Sequence, residues 1–377
     1  MCAELRSHYE FPLTTEGSHR KVILRDCRLV YVAPRSGVGG VGDYADDFAD
    51  AVRPHFAEVI EYRHEGPGSH SMRDILRHRK AIQELVDADP GRVIVHCELS
   101  GGSVMPFWAT ARLTGDPVVT ATVHDPPGLV WWPARTKFLA GKKVLNHGLH
   151  YPLRSAWRAL ERRVSGSRTL FALTRSGADS LAREYPDATA KASALFVPAR
   201  PDITPAEERP LAVGLFGLVY RGKGFDQIQQ LRDSLPRDIA IRIAGRGTEL
   251  LDPVDGVEIL GEVNGPDEDA FFASIRALVL PYGKRSIYGD AFPASSVVTR
   301  AIAYQTPVTC LKVGALAESD SGALVVDGGV DELADATAEL INDPIALGKL
   351  RREVEALRIS HTAELVVEDF VSVWAAQ

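Results

Sequence analysis

The chain has 377 residues, of which 45% are hydrophobic and 25% are charged, and its formal net charge is -7. This length exceeds the size at which a single hydrophobic core stops growing, so two domains are expected. The composition is that of a globular protein and excludes a disordered chain. The negative charge argues against nucleic-acid binding, because a phosphate backbone requires a basic surface.

The four cysteines are scattered along the chain and form no CxxC pair, which is typical of reduced thiols and excludes a disulfide framework or a cysteine zinc site. They are Cys2, Cys27, Cys97 and Cys310. No stretch approaches the ~20 apolar residues that a membrane helix needs. The first residues also lack a signal-peptide hydrophobic segment. We therefore expect a cytoplasmic protein without a bound metal.

Short apolar runs alternate with amphipathic stretches along the chain, a pattern typical of parallel α/β architecture. In the first half they predict strands at Arg28–Ala33, Val93–Glu98, Val118–His124 and Leu170–Leu173. The segment Pro198–Pro210 is rich in proline and charge, which predicts a linker between two domains.

The alternation resumes after this linker, with helices predicted at Asp226–Leu235, Ser296–Tyr304 and Thr362–Trp374. The predicted strands are Ala212–Gly217, Ala240–Ala244, Val257–Leu260, Leu278–Pro281, Val308–Leu311 and Leu324–Val326. We predict two Rossmann-like, doubly wound parallel-sheet domains, residues 1–200 and 208–358, and a C-terminal helix within 359–377 that packs back on the first domain. Because open α/β sheets bind ligands at the carboxyl ends of their strands, both domains should face one cleft.

The segment Gly37-Val-Gly39-Gly40-Val-Gly42 lies between a strand and a helix and satisfies GxGxxG. As a dinucleotide fingerprint it would bind NAD(P) or FAD, with Glu61 about 20 residues on at the ribose. The fit is imperfect because Pro34-Arg35-Ser36 separate the strand from the first glycine. A tight turn without a ligand is another alternative. A third is a phosphate site, since the backbone can approach closely and the helix presents free N–H groups.

A second glycine segment, Gly217–Lys223, matches GxxxxGK, but Gly224 follows where a P-loop needs Ser or Thr for magnesium. Together the two segments suit a diphosphate held between the domains, with Lys223 and Arg221 supplying positive charge. Such charges stabilise a departing diphosphate more than its ground state, so no metal is required. The alternatives are a solvated Lys223 at a helix start and an Arg221 paired with a surface acid.

Seven segments occur in an order and spacing that resemble a known family. They are Gly39–Tyr44 (GGVGDY), Thr122–Asp125 (TVHD), Leu173–Ser176 (LTRS), Phe216–Asp226 (FG…KGFD), Ala244–Gly247 (AGRG), Leu280–Tyr282 (LPY) and Ser295–Ala301 (SSVVTRA). Over nearly its whole length the chain is similar to the GT-B fold retaining glycosyltransferases, most of all to glycosyltransferase family four (glycosyl transferases group 1).

In the first domain, the resemblance implies that Gly39, Gly40 and Gly42 contact the donor diphosphate and sugar and that His124 lies beside the transferred sugar. The alternative for His124 is a satisfied core histidine. Glu98, at a predicted strand end, could bind acceptor hydroxyls or orient His124; otherwise it caps a helix or pairs with an arginine.

In the second domain, the resemblance implies that Lys223 grips the diphosphate and that Gly245 forms a turn under the nucleotide. Ser295 and Ser296 would present helix N-terminal amides to the donor phosphates. Both serines are also natural N-caps whatever the function.

One departure from the family concerns two glutamates that it usually carries eight positions apart. They fall near Phe292 and at Arg300 here, so neither is present, and Asp290 is the nearest acid. Asp290 is therefore predicted to contact the donor sugar. The missing glutamates favour one alternative, a non-catalytic relative that binds a nucleotide-sugar without turning it over.

Residues 135–168 are basic and are interleaved with or adjacent to aromatic residues, against the single acid Glu161. The basic residues are Arg135, Lys137, Lys142, Lys143, Arg154, Arg158, Arg162, Arg163 and Arg168, and the aromatic ones are Trp131, Trp132, Phe138, Tyr151 and Trp157. This pattern predicts peripheral docking of 131–168 on an anionic membrane or binding of a lipid-diphosphate acceptor. The alternative is a solvated helical face with a loop lining the cleft.

The sequence thus predicts a retaining, metal-independent glycosyltransferase that uses a nucleotide-sugar as substrate and needs no cofactor. For such an enzyme the resemblance implies front-face attack, in which the departing phosphate helps to deprotonate the acceptor. The acceptor would be a polysaccharide, a glycolipid or a small molecule. The alternatives are an NAD(P)- or FAD-dependent oxidoreductase and the non-catalytic relative.

Overall fold

The computed structural model of the chain describes residues 23–88, 91–128, 136–138, 142–283, 290–319 and 321–377. These residues form two parallel six-stranded sheets with helices packed against them. The predicted α/β class with two Rossmann-like sheets is confirmed. Each strand predicted from the sequence is present, with bounds that differ by at most one residue.

The first sheet has the strand order β2-β1-β3-β4-β5-β6. Its strands are β1 (Arg28–Pro34), β2 (Glu58–His64), β3 (Val93–Leu99), β4 (Val118–Val123), β5 (Thr169–Ala172) and β6 (Thr189–Ala192). Its helices are α1 (Gly39–Val52), α2 (Met72–Asp87), α3 (Val104–Ala109), α4 (Lys143–Ser165) and α5 (Arg175–Glu184). The strand order reverses direction between β1 and β3, which opens a crevice at their carboxyl ends.

The second sheet has the strand order β12-β11-β10-β7-β8-β9 and reverses between β7 and β10. Its strands are β7 (Ala212–Phe216), β8 (Ala240–Ala244), β9 (Val257–Gly261), β10 (Ala277–Leu280), β11 (Val308–Leu311) and β12 (Ala323–Val326). The helices that follow are α6 (Ile228–Ser234), α7 (Pro266–Ala273), α8 (Ser296–Ala303), α9 (Val330–Asn342), α10 (Pro344–Ser360) and α11 (Ala363–Ala375). Its crevice therefore lies between the loops that follow β7 and β10.

Two strands of the first sheet, β2 and β6, were not predicted. Both lie at an edge of the sheet, and both carry polar residues at alternate or irregular positions, as in Glu58–His64 (EVIEYRH). An edge strand that is partly solvated lacks the continuous apolar run that marks a buried parallel strand.

The last helix, α11, packs on the first sheet. Its Phe370 and Trp374 are fully buried in a cluster with Tyr31, Phe48 and Phe171. The ring of Phe370 stacks on that of Phe171 at 4.3 Å between centroids. Helix α11 thus returns from the second sheet to the first, while the domain boundaries proposed from the sequence stay predictions.

The proline-rich segment between the two sheets is anchored on the second one. Arg209 is 2% exposed and donates hydrogen bonds to the carbonyls of Phe272, Ile275 and Tyr304. A buried guanidinium that satisfies several carbonyls holds the chain at this point, because removing it would leave those acceptors without a partner.

Candidate functional site

A cavity opens where the carboxyl ends of the two sheets meet. The start of α1 and the loops after β4, β7, β10 and β11 contribute to its lining, as expected from the position of the crevice in both sheets. The lining residues are Gly40, Val41, Tyr44, His124, Asp125, Leu173, Leu195, Tyr220, Gly222, Lys223, Tyr282, Gly283, Asp290, Ala291, Pro293, Ala294, Ser295, Ser296, Val313, Gly314, Ala315 and Leu316.

Lys223 reaches the cavity from the loop after β7. Its Nζ donates a hydrogen bond to the hydroxyl of Tyr282 at 2.6 Å and lies 4.1 Å from the centre of that ring. The next residue, Gly224, has φ of 80°, and a Cβ there would lie 2.3 Å from the carbonyl oxygen of Pro281. Glycine at this position therefore lets the lysine loop lie directly against the end of β10.

The N-terminus of α8 lies beside this lysine. Ser295 occupies the N-cap position, yet its side chain makes no capping hydrogen bond. Its Oγ lies 3.5 Å from the Tyr282 hydroxyl instead, and both Ser295 and Ser296 line the cavity. The sequence correctly predicts the cap position, but the Ser295 side chain accepts no hydrogen bond from the first amides of α8. These amide N–H groups can therefore donate hydrogen bonds to a ligand in the cavity.

His124 lines the cavity from the end of β4, where its side chain is 12% exposed. Its Nε2 is 2.7 Å from Oε2 of Glu98, a carboxylate with no exposed side-chain surface. The edge of its ring faces Tyr44 at 5.0 Å between centroids. Of the roles expected for Glu98, the geometry matches the orienting of His124. Among the described residues, Glu98 does not line the cavity, caps no helix and pairs with no arginine.

Glu98 has two further partners that the sequence reasoning missed. The hydroxyl of Tyr31 donates to its Oε1 at 2.9 Å, and Nε2 of His96 lies 3.4 Å from the same oxygen. One signal was available, because His96 and Glu98 are two residues apart on β3 and therefore share a face of the sheet. Tyr31 lies on a different strand, and only the register of β1 with β3 brings it close.

These hydrogen bonds decide the charge of Glu98. Burial alone would raise its pKa, but hydrogen bonds from His124 and His96 outweigh burial and hold the pKa below the usual range. The carboxylate is therefore charged at neutral pH and can only accept hydrogen bonds.

The glycines of the first segment differ in their position relative to the cavity. Helix α1 begins at Gly39, so Gly39 to Gly42 form its first turn and not a loop. Of the three predicted donor contacts, Gly40 alone lines the cavity. Gly42 is buried against the loop after β1, where a Cβ would lie 2.2 Å from the carbonyl oxygen of Arg35. Gly42 thus allows close packing of the backbone.

Gly245 has a similar structural role. Its φ is 128°, and a Cβ there would lie 2.2 Å from the carbonyl oxygen of Gly217. It is buried and does not line the cavity. Glycine is required at this position because the backbone of Gly217 lies too close for a side chain. The structure therefore gives no support for direct donor binding by Gly245 in this conformation.

The structure separates the two charged residues predicted beside the donor. Arg221 is exposed and does not line the cavity, so it does not join Lys223 at the expected diphosphate site in this conformation. Asp290 is exposed and does line the cavity.

The two positions that depart from the family pattern make specific contacts. Phe292 bridges the two sheets through its backbone, donating from N to the carbonyl of Pro126 at 2.9 Å. Its own carbonyl accepts from Oγ1 of Thr174 at 2.8 Å. Arg300 forms an ion pair with the buried Glu268.

The dinucleotide fingerprint is not favoured by this arrangement. Strand β1 ends at Pro34, five residues before α1 begins at Gly39. Glu61, the expected ribose ligand, lies within β2, where it forms ion pairs with Arg53 and Arg63. Two arginines therefore occupy the carboxylate that the fingerprint would place at the ribose.

The basic stretch contributes fewer surface charges than its sequence suggests. Arg158 and Arg162 pair with Glu184 at 3.4 and 3.3 Å. Arg168 is 3% exposed and donates to the carbonyl of Phe107. Outside the described residues lie Trp131, Trp132, Arg135 and the side chains of Lys143 and Tyr151. Membrane docking of this stretch stays a prediction. In the part of the chain that is described, no helix combines the length and apolarity needed to span a bilayer.

Comparison with known proteins finds a family match in the second half of the chain. Residues 219–343 match the family described as Glycosyl transferases group 1. No curated protein matches the sequence.

Several solved structures share the fold at low sequence identity. Alr3699/HepE of Anabaena in complex with UDP has a TM-score of 0.64 at 12% identity, over 93% of this chain and 100% of that one. The α,α-trehalose 6-phosphate synthase of Burkholderia multivorans has a TM-score of 0.61 at 10% identity, over 92% and 99%. The lipopolysaccharide outer core galactosyltransferase WaaB, in its apo form, has a TM-score of 0.61 at 10% identity, over 93% and 100%.

Identities this low establish the fold and no more, and the fold they establish is GT-B. Together with the match over residues 219–343, they support a glycosyltransferase of the GT-B type. The chain has the GT-B fold, and its resemblance to the group 1 glycosyl transferases, expected from the sequence, is confirmed.

Proposed function

We propose that this chain is a retaining, metal-independent glycosyltransferase that takes a sugar from a UDP-sugar and transfers it to an acceptor hydroxyl. One observation carries the proposal. Lys223 and the N-terminus of α8, from the second sheet, line the same cavity as His124 from the first. The structure of HepE has been solved with UDP-glucose, and also with UDP and glucose, which supports a uridine donor.

The diphosphate would lie against Lys223 and the first amides of α8. Lys223 is only 9% exposed, so its charge acts where water screens it weakly. The Tyr282 hydroxyl lies between the lysine Nζ and Ser295 Oγ, at 2.6 and 3.5 Å, and thereby keeps the cation beside the helix end. Negative charge grows on the diphosphate as its bond to the sugar breaks, and both groups stabilise that charge.

The donor sugar would lie towards His124 and the two carboxylates that line the cavity. Asp290 is exposed, and Asp125 accepts a hydrogen bond from the amide of Gly101 at 3.0 Å. Carboxylates repel phosphates but accept hydrogen bonds from sugar hydroxyls. The position of these charges therefore favours one orientation of the donor, with its diphosphate at Lys223.

Transfer with retention would follow the front-face route that the family resemblance implies. The acceptor oxygen attacks the anomeric carbon as the bond to the diphosphate breaks, and the departing phosphate oxygen takes the acceptor proton. This route needs no protein nucleophile. We propose a polysaccharide, glycolipid or small-molecule hydroxyl as acceptor, with no cofactor and no metal.

A thermal-shift series with UDP, GDP, ADP and their sugars tests the donor site. We expect UDP and UDP-sugars to raise the melting temperature of the wild type and Lys223→Met to lose most of that shift. The matched control is Lys312→Met, because Lys312 lies in the same domain but is exposed and paired with Asp327. An unchanged shift in Lys223→Met would remove the diphosphate assignment.

Turnover separates the enzyme from a non-catalytic relative. Incubation with a UDP-sugar and a panel of acceptors should release UDP, and the anomeric configuration of the product, read by proton NMR, should match that of the donor. The rate should be unaffected by EDTA. Binding of UDP without release from any donor would favour the non-catalytic alternative, and an inverted product would refute retention.

A further inference from the structure

A chain of buried hydrogen bonds leads from the last helix to the cavity. Nε1 of Trp374, on α11, is 3.1 Å from Oγ1 of Thr120, which is 2.7 Å from Nδ1 of His96. On its other side, His96 Nε2 lies 2.9 Å from Oγ1 of Thr122 and 3.4 Å from Oε1 of Glu98. Glu98 then contacts His124, which lines the cavity.

Strand register places these groups side by side. His96 is aligned with Tyr31 on β1 and with Thr120 on β4, while Glu98 is aligned with Thr122. In a parallel sheet, aligned residues project from the same face. Tyr31, His96, Thr120 and Thr122 therefore project from the same face of the sheet as Glu98.

The groups at the two ends of this series of contacts indicate in which direction its hydrogen bonds are donated. An indole N–H can only donate, so Trp374 occupies one of the two lone pairs of Thr120 and favours donation of its single proton to Nδ1 of His96. At Nε2 of His96, the charged Glu98 lies 3.4 Å away and can only accept, which favours the ring proton on Nε2, where it donates to Thr122. At the other end, Glu98 is an acceptor for Tyr31 and for Nε2–H of His124.

We infer that Trp374, Thr120 and His96 are positioning residues that orient Glu98 and thereby hold His124 as its Nε2–H tautomer. Nδ1 is then the hydrogen-bond acceptor that His124 offers at the cavity. This tautomer suits a hydroxyl donor such as a sugar and disfavours a phosphate oxygen, which can only accept. The link to catalysis rests on the proposed transferase function, but the tautomer itself does not.

Nitrogen-15 NMR of the full chain labelled at histidine tests the tautomer without any substrate, with His124→Gln identifying the signal. We expect the wild type to show Nε2–H at His124, and Nδ1–H would overturn the inference. In Glu98→Gln, Tyr31 and His96 should hold the amide oxygen on their side, so its NH2 group faces His124. The ring should then switch to Nδ1–H, and a ring that stays Nε2–H would refute control by Glu98.

Trp374→Phe tests the far end of the chain, because it keeps an aromatic ring and removes only the N–H. We expect His96 to lose its single tautomer, and kcat to fall about 5-fold at unchanged donor KM, the factor that one neutral hydrogen bond is worth. Thr120→Val breaks the next link and should change the His96 signal in the same way. An unaltered His96 signal in both variants would overturn the chain.

The matched control is Phe370→Leu, which disturbs the packing of the same helix without touching a hydrogen bond. It should lower the melting temperature and leave the tautomers of His96 and His124 unchanged. A tautomer change in this variant would mean that packing, and not the hydrogen-bond chain, sets the ring. If wild-type turnover is absent while the tautomers behave as expected, the proposed function fails and the positioning chain stands.

Discussion

The two sheets contribute to the cavity in different ways. On the first sheet, His124 is held by Glu98, whose carboxylate is itself satisfied by Tyr31 and His96 in the interior. On the second, Lys223 comes from a loop and is positioned by Tyr282 at the cavity wall. The first arrangement fixes the orientation of the His124 ring through buried hydrogen bonds. The second places the positive charge of Lys223 near the N-terminus of α8.

This difference predicts which variants lose chemistry and which lose stability. Breaking a buried network leaves donors or acceptors without partners and costs folding free energy. Removing a charge at a cavity wall costs little stability but a large part of the transition-state stabilisation.

The largest effect is expected for Lys223→Met on turnover. Loss of the cation leaves the departing diphosphate with helix amides alone, and kcat should fall about 10³-fold, as for other groups that stabilise developing charge. Steady-state kinetics with a UDP-sugar measures this effect. Urea unfolding should show little change in stability. A loss of less than about 10-fold would mean that the charge of Lys223 does not act on the transition state.

A second carboxylate of the first domain, Glu161, provides a contrast to Glu98. It is 4% exposed, and burial raises its pKa to about 8. As pH rises from about 4.5 to about 8, the unfolded chain ionises at this position while the folded chain does not, so folding stability falls. Glu161→Gln removes this cost and should stabilise the protein by a few kcal/mol at pH 8 and by little at pH 4.5.

Urea unfolding of Glu161→Gln and wild type across this pH range measures the effect. Glu258→Gln is the control, since the exposed Glu258 pairs with Arg242 on the second sheet, away from Glu161, and its difference from wild type should lack this rise with pH. An equal difference at both pH values would show that Glu161 titrates normally. In that case the pKa of Glu161 would not be raised by burial, and the lack of a histidine partner could not account for the difference between its pKa and that of Glu98.

The sequence was sufficient to predict the ends of the elements that form the site. Apolar runs located the strand ends before His124 and Lys223, and parallel topology brings such ends together. Contacts between residues on neighbouring strands could not be predicted from the sequence. A shift of the strand register by one residue would decide whether Tyr31 lies beside His96.

The direction in which loop side chains point could not be predicted from the sequence either. Arg221 and Lys223 are two residues apart in the same loop, yet one is exposed and the other lines the cavity. Gly40 and Gly42 likewise share a motif but face the cavity and the loop after β1, respectively. A sequence motif does not indicate which of its side chains point towards a ligand. The backbone conformation of the loop determines this.

The contact between the two sheets at Phe292 predicts a smaller effect on donor affinity. Oγ1 of Thr174 accepts from the amide of Gly177 as an N-cap and donates to the carbonyl of Phe292. Thr174→Asp keeps the cap but directs a carboxylate at that carbonyl. We expect donor KM to rise about 5-fold, the value of one hydrogen bond, with little loss of stability.

Thr174→Ser, which retains both hydrogen bonds, is the control for this contact and should behave as wild type. If Thr174→Asp leaves donor KM unchanged, the approach of the two sheets at Phe292 does not support donor binding. Isothermal titration with UDP distinguishes this effect from a change in turnover.

The smallest effect on donor kinetics is expected for the paired substitutions Gly40→Ala and Gly42→Ala, which separate a glycine that lines the cavity from a glycine that allows close backbone packing. No atom lies within 4 Å of a Cβ built at Gly40, in the first turn of α1. Alanine there should stabilise the helix by about 0.5–1 kcal/mol, yet its methyl group enters the cavity and should raise donor KM. Gly42→Ala should instead destabilise the protein, because its methyl group meets the carbonyl of Arg35. Thermal unfolding and donor kinetics of the two variants measure both quantities. If Gly40→Ala is more stable and binds the donor as tightly as wild type, the first turn of α1 does not contact the donor, and the first sheet acts through the residues at the end of β4 instead.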